Sequence, residues 1–162
     1  MFIIPYGICD ILPMKKLYVN LSFIEFPPTH TCDGENSSPE MEILDLDADT
    51  LAIVAINPYE PGCSFTNWLA WNIPAIPIIP ARIPKKKVVA SPVRAVQGTN
   101  DYGTIGYSGP CPKQGETHRV TFKVYGLDSM LDLSPGSRKD ELIPAMKGHV
   151  VQFGTTMAMY RR

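Results

Sequence analysis

The sequence predicts a mainly β protein, built of antiparallel strands with one or two short helices, and three observations carry that expectation. His118 to Tyr125 alternates His, Val, Phe and Val on one face with Arg, Thr, Lys and Tyr on the other. This period of two is that of a half-buried strand. Thr50 to Ile56 is a continuous apolar run, suited to a strand buried on both faces. Sixteen prolines in 162 residues favour loops and strand ends over long helices.

The elements follow in order. Residues 1–13 read as an N-terminal extension and residues 14–162 as one domain; Met14-Lys15-Lys16 would be a natural start. Leu17 to Phe23 is the first expected strand. Pro27 to Pro39 is rich in turn formers, with Asp33 and Asn36 expected to hold turns through side-chain to backbone hydrogen bonds. The Thr50–Ile56 strand should end in a rigid turn bracketed by Pro58 and Pro61. Phe65 to Ile73 follows as a strand, with Trp68 and Trp71 as large core or rim residues.

Pro74 to Pro84 carries too many prolines for a regular sheet and should run along an edge. Lys85, Lys86 and Lys87 form the one positive run, read as a solvated turn. One helix is expected after residue 137, capped by Ser137, with Asp140 near its N-terminus and Leu142, Met146 and Ile143 as candidates for its buried face. Pro144 keeps it short or kinked, and Gly148 stops it. Val150 to Tyr160 returns to strand alternation.

The stretch from Gly98 to Gly115 is an ordered loop, with five glycines for turns and Pro110 and Pro112 to stiffen it. It delivers His118 to the start of a strand. Its pattern, Gly98, Asn100, Gly103, Gly106, Tyr107, Gly109-Pro110-Cys111-Pro112, Gly115, His118 and Arg119, resembles that of the phosphatidylethanolamine-binding protein family, which includes the Raf kinase inhibitor proteins. The likeness runs from about Tyr18 to the C-terminus. It also takes in Pro27 to Pro39, where His30 stands in a slot that is often aromatic.

The resemblance implies an antiparallel β-sandwich, a small anion pocket and a homodimer. It also implies a binding rather than a catalytic role, some members acting by inhibiting kinases or proteases. The pocket positions fall on Asn57, Pro58, Tyr59, Asn67, Gly109, Pro110 and His118. In the family such a pocket suits phosphate monoesters, held by imidazoles and backbone N–H groups. Here two aspartate positions are Asn57 and Tyr59, one histidine position is Asn67, and the tyrosine after His-Arg is Val120. Asparagine amides donate and accept hydrogen bonds but carry no charge. A concave site with weakened preference for dianions is therefore one expectation, and a filled or vestigial pocket is the other.

Composition excludes several other classes. The net charge is −1 with no basic stripe, which argues against nucleic acid as the main partner. No apolar run is long enough to span a membrane. Cys9, Cys32, Cys63 and Cys111 lack the spacing of a zinc or redox motif, and His30, His118 and His149 lack ligand spacing, so neither metal nor cofactor is expected. Without an export signal, the four cysteines are read as free thiols in a cytoplasmic protein. The rival reading is an enzyme of hydrolase type, using Cys111 as nucleophile and His118 as base.

Overall fold

The structure, a computed structural model, describes residues 14–60 and 63–162, and of residues 59 and 60 only the backbone. The expected extension over residues 1–13, Cys9, Pro61 and the side chain of Tyr59 lie outside the described residues.

The strands are β1 (Lys15–Lys16), β2 (Tyr18–Asn20), β3 (Met41–Leu44), β4 (Thr50–Glu60), β5 (Cys63–Pro74), β6 (Ile78–Ile79), β7 (Val88–Val89), β8 (Ala95–Gln97), β9 (Thr117–Leu127) and β10 (Val150–Arg161). One α-helix, α1, spans Lys139–Met146. A seven-stranded sheet runs β1-β10-β9-β4-β5-β8-β7, and a three-stranded sheet runs β2-β3-β6. All pairings between named strands are antiparallel except β1 with β10.

The two sheets pack face to face. Met41 and Ile43 of β3 and Ile79 of β6 meet Ile53 of β4, Trp68 of β5 and Phe122 of β9 in one core. The other face of the large sheet carries a second core, where Val54, Leu69 and Trp71 lie under Leu131 and under Leu142 and Met146 of α1. The central strand β4 is apolar from Leu51 to Ile56, where it is covered on both sides. Trp68 and Trp71 are three residues apart in one strand and so point to opposite faces, each fully buried.

Several boundaries differ from expectation. The first strand breaks into β1 and β2 around Leu17, and Leu21 to Phe23 is not strand. Strand β4 does not stop at Ile56; it pairs with β5 through Asn57–Phe65, Pro58–Ser64 and Glu60–Cys63. The prolines after β5 leave only β6, at the edge of the small sheet, as expected for a segment short of donors.

The helix starts one residue late, because Arg138 rather than Ser137 precedes it. The Arg138 N–H donates to the Glu141 carboxylate at 3.0 Å, while the Ser137 hydroxyl turns back to the Ser134 carbonyl at 2.6 Å. Pro144 falls in the last turn, Ile143 faces solvent, and Gly148 follows the helix with φ +86°.

The thiol expectation fails. Cys32 and Cys111, 79 residues apart, form a disulfide; Cys63 is a free, exposed thiol. Spacing along the chain does not reveal the pair, because folding brings the two loops together. No helix among the described residues is long and apolar enough to cross a membrane.

Candidate ligand-binding site

Three neighbouring strands of the large sheet, in the order β9-β4-β5, bring the expected site residues to one end. Asn57 lies on β4, opposite Phe65 of β5. Val120 follows His118 by two residues on β9, and the ladder with β4 runs out at Ile56–Thr121. His118 therefore lies just past the end of that pairing, on the same face of β9 as Val120, Phe122 and Val124. Its side chain is 25 % exposed, and Nε2 lies 3.9 Å from the Glu116 carboxylate.

Asn67 sits in a bulge. Ala55 pairs with Trp68 and Ile56 with Thr66, so Asn67 is the extra residue. Bulges re-aim a side chain out of the regular pleat. This one is held from outside the ladder. The Thr66 N–H donates to the Asp101 carboxylate at 2.8 Å, and the Asp101 N–H donates back to the Thr66 carbonyl at 2.9 Å. Asn67 in turn clasps the glycine-rich loop: its Nδ2 donates to the Ser108 carbonyl at 2.8 Å, and its own carbonyl accepts from the Ser108 N–H at 3.0 Å.

The Ser108 carbonyl also fixes the orientation of the Asn67 amide, since only the NH2 end can donate to it. That leaves Oδ1 fully buried without a hydrogen-bond partner among the described residues, in a side chain only 1 % exposed. A buried acceptor left unmade costs about 1–3 kcal/mol, so the atom is an open demand for a donor.

The loop itself is tightly built. Asn100 donates to the Thr104 hydroxyl and the Gly106 carbonyl, and its Oδ1 accepts from the N–H groups of Tyr102 and Thr104. Gln97, fully buried, accepts from Trp68 Nε1 and donates to the carbonyls of Pro84 and Lys86. Lys85 is not a purely solvated turn residue: its ammonium donates to the carbonyls of Asn36 and Tyr107, and burial lowers its pKa.

Gly109 and Pro110 are buried, against the segment that holds His30. The Tyr107 hydroxyl donates to the His30 carbonyl at 2.6 Å, and burial pushes its pKa well above the ordinary tyrosine range, so it stays a donor. His30 stacks on Phe23 with ring centroids 5.5 Å apart while Nδ1 meets the Ser37 carbonyl. It thus fills the aromatic slot.

Asn36 and Asp33 act at long range, not within their own turn. Asn36 Oδ1 accepts the Gly109 N–H at 2.7 Å, and Nδ2 donates to the Ser108 hydroxyl. Asp33 accepts from the Tyr160 hydroxyl at 2.6 Å and pairs with Arg162 at 3.1 Å. The consequence for chemistry is direct. The Gly109 and Ser108 N–H groups are already bonded inside the protein, so neither is held open toward an anion.

Pro58 is exposed, on the strand end beside Asn57. The residues that sequence reasoning missed are Asp101, which sets the bulge, and Asn36, which takes the Gly109 N–H. A short-range turn signal was all that either offered. Among the described residues, no group of three or more His, Cys, Asp or Glu side chains gathers to hold a metal. Cys111 is bonded to Cys32, so the Cys111–His118 nucleophile pair has no thiolate in this state.

Comparison with known proteins gives a consistent result. The phosphatidylethanolamine-binding protein family model matches residues 21–161. A UPF0098 protein of Pyrococcus abyssi is 41 % identical over 156 residues, covering 94 % of this chain and 86 % of that one. A crystal structure of a phosphatidylethanolamine-binding protein homologue from Chlamydia trachomatis superposes with a TM-score of 0.77 at 25 % identity, covering 91 % of this chain and 99 % of that one. Escherichia coli YbcL, described as a member of the mammalian PEBP family, superposes with a TM-score of 0.79 at 24 % identity, covering 90 % and 98 %.

Proposed function

Since the chain belongs to the phosphatidylethanolamine-binding protein family, we propose that it is a non-catalytic binding protein whose pocket lacks two carboxylates and one imidazole of the family pattern. The site residues are Asn57, Pro58, Tyr59, Asn67, Gly109, Pro110 and His118, and small anions bind there weakly. The observation that carries the reading is Asn67: a buried amide, locked by Ser108, with an acceptor unpaired among the described residues where the family pattern has a histidine. An acceptor repels an anion's oxygens and asks for an N–H or O–H group.

The size of the effect follows from hydrogen-bond energetics. A charge-assisted bond contributes roughly twice a neutral one, so an amide in place of an imidazolium costs about 1 kcal/mol or more per contact. Each 1.4 kcal/mol is about tenfold in affinity. Calorimetric titration with phosphoethanolamine near pH 6 tests this in three proteins: the wild type, Asn67→His, and Asn57→Asp with Asn67→His. Affinity should rise in that order, because the carboxylate supports the restored imidazolium. No improvement in either variant would remove the proposal.

We extend the proposal to a protein partner, a kinase or protease that the chain modulates by binding. Pull-down from the source organism's extract, with the partner's activity measured afterwards, decides that part. Residence in the cytoplasm is proposed with it. The Cys32–Cys111 bond then requires a cytoplasm that tolerates disulfides, as that of hyperthermophiles does, and an oxidising compartment is the rival. Fractionation with thiol alkylation before lysis decides between the two.

A further inference from the structure

The opposite end of the large sheet holds a second concavity, of about 670 Å³. That lies within the range of roughly 300–1,000 Å³ typical of small-molecule sites. Its floor is the start of β4 and the end of β5, where Thr50 pairs with Pro74. One wall is the β7–β8 hairpin, with Val88, Arg94 and Val96; the other is the segment around Ser129 and Met130. Nothing in the phosphate-type pocket is shared with it.

The second wall is fixed in place from two sides. Asn72, at φ +54°, donates to the Leu131 carbonyl at 3.0 Å and accepts its N–H at 2.7 Å. The Thr50 hydroxyl donates to the Ser129 carbonyl at 2.9 Å. Both polar side chains of the floor are thus consumed in holding the rim, which leaves the concavity formed before anything enters it. Pre-formed sites bind at lower entropic cost. Large apolar side chains stand exposed at its two walls, Val88 at 61 % and Met130 at 66 %.

Two charges remain. Asp49 and Arg94 both line the cavity and both face solvent, and neither has an ion-pair partner among the described residues. They lie at different walls. Arg94 precedes β8, whose Val96 pairs with Trp71 of β5, and Asp49 precedes Thr50 of β4. Two inter-strand spacings and about two residues of offset put their Cα atoms roughly 12 Å apart, and both exposed side chains must splay outward for their charges to bracket a ligand of that order. An extended chain of three residues spans about 10–11 Å.

We propose that this cavity binds a short apolar peptide of about three residues with both ends free. Its carboxylate pairs with Arg94, whose guanidinium matches carboxylate geometry, and its ammonium pairs with Asp49. Its side chains lie against Val88, Val96 and Met130. Charge complementarity at both ends selects a zwitterion of that length over a fatty acid, which Asp49 disfavours.

Amide-resolved NMR titration of the full chain with Val-Ala-Val is the test. Saturable shifts at Val88–Val96 and Ser129–Leu131 are expected, with N-acetylation or C-amidation each weakening binding at least fivefold. In Asp49→Asn the acetylated and free peptides should bind alike, and in Arg94→Gln the amidated and free peptides should. Both positions are exposed, and unchanged spectra away from the cavity confirm that the variants are folded. Absence of saturable binding, equal binding of the blocked peptides to the wild type, or shifts only around Asn67 and His118 would each overturn the proposal.

Discussion

Gly109 has no side chain because there is no room for one. A Cβ there would run into the His30 carbonyl oxygen and come within 2.8 Å of the Tyr107 hydroxyl. Gly109→Ala must therefore push two loops apart, and a loss of about 3 kcal/mol is expected from the shift in denaturant midpoint. Asp101 presents a second case. Its carboxylate takes the Thr66 N–H that the bulge withdraws from the ladder. Asp101→Ala should cost about 2 kcal/mol, since a hydrogen bond to a charged group contributes roughly 1.5–3 kcal/mol. It should also alter the amide spectrum of Asn67.

At this scale the sequence was legible where a residue acts locally and illegible where it acts across the chain. His30 was readable as an aromatic stand-in, and it stacks on Phe23. Asn36 was not, because its partners, Ser108 and Gly109, lie more than seventy residues away. Composition cannot distinguish a turn asparagine from one that reaches a distant loop.

Among the elements, β4, β5, β9 and β10 were legible because hydrophobic pattern alone sets a long, half- or fully buried strand. Their ends were not. Strand β4 continues through Asn57 and Pro58 because β5 supplies a hairpin partner, a tertiary fact that overrides the proline signal. The short strands β6, β7 and β8, of two or three residues each, have no period to detect.

The two site loops, unlike the strands, are joined covalently. The Cys32–Cys111 bond closes a 79-residue separation, for which loop-closure entropy alone gives roughly 4.5 kcal/mol, with measured values generally about 2–4 kcal/mol. Cys32→Ser with Cys111→Ser should lower stability by about 2–4 kcal/mol by chemical denaturation. Alkylation of the denatured, non-reduced protein followed by mass spectrometry should find those two cysteines protected. Four alkylated thiols would show that the bond does not form.

For the molecule as a whole, two sheets enclose one core and α1 covers a second, which leaves the ends of the large sheet free to carry loops. That division would let a site at one end lose charged groups, as proposed, without loss of fold. The exchanged residues, Asn57 and Asn67, lie at a strand end and in a bulge, not in the packed centre. The proposed homodimer, which rests on the resemblance, should give about twice 17.9 kDa by sedimentation equilibrium at high concentration. A persistent monomer would remove that expectation.

The central claim is that the Asn67 position offers a neutral amide where the family pattern has an imidazole, which leaves His118 as the one imidazole of the proposed site. Amide-resolved NMR titration of the wild type with phosphoethanolamine near pH 6 tests it most directly. Weak binding is predicted, with a dissociation constant of about 1 mM or weaker, equivalent to roughly 4 kcal/mol, and shifts centred on Asn57, Asn67, Ser108, Gly109 and His118. Micromolar binding at those residues would contradict the account.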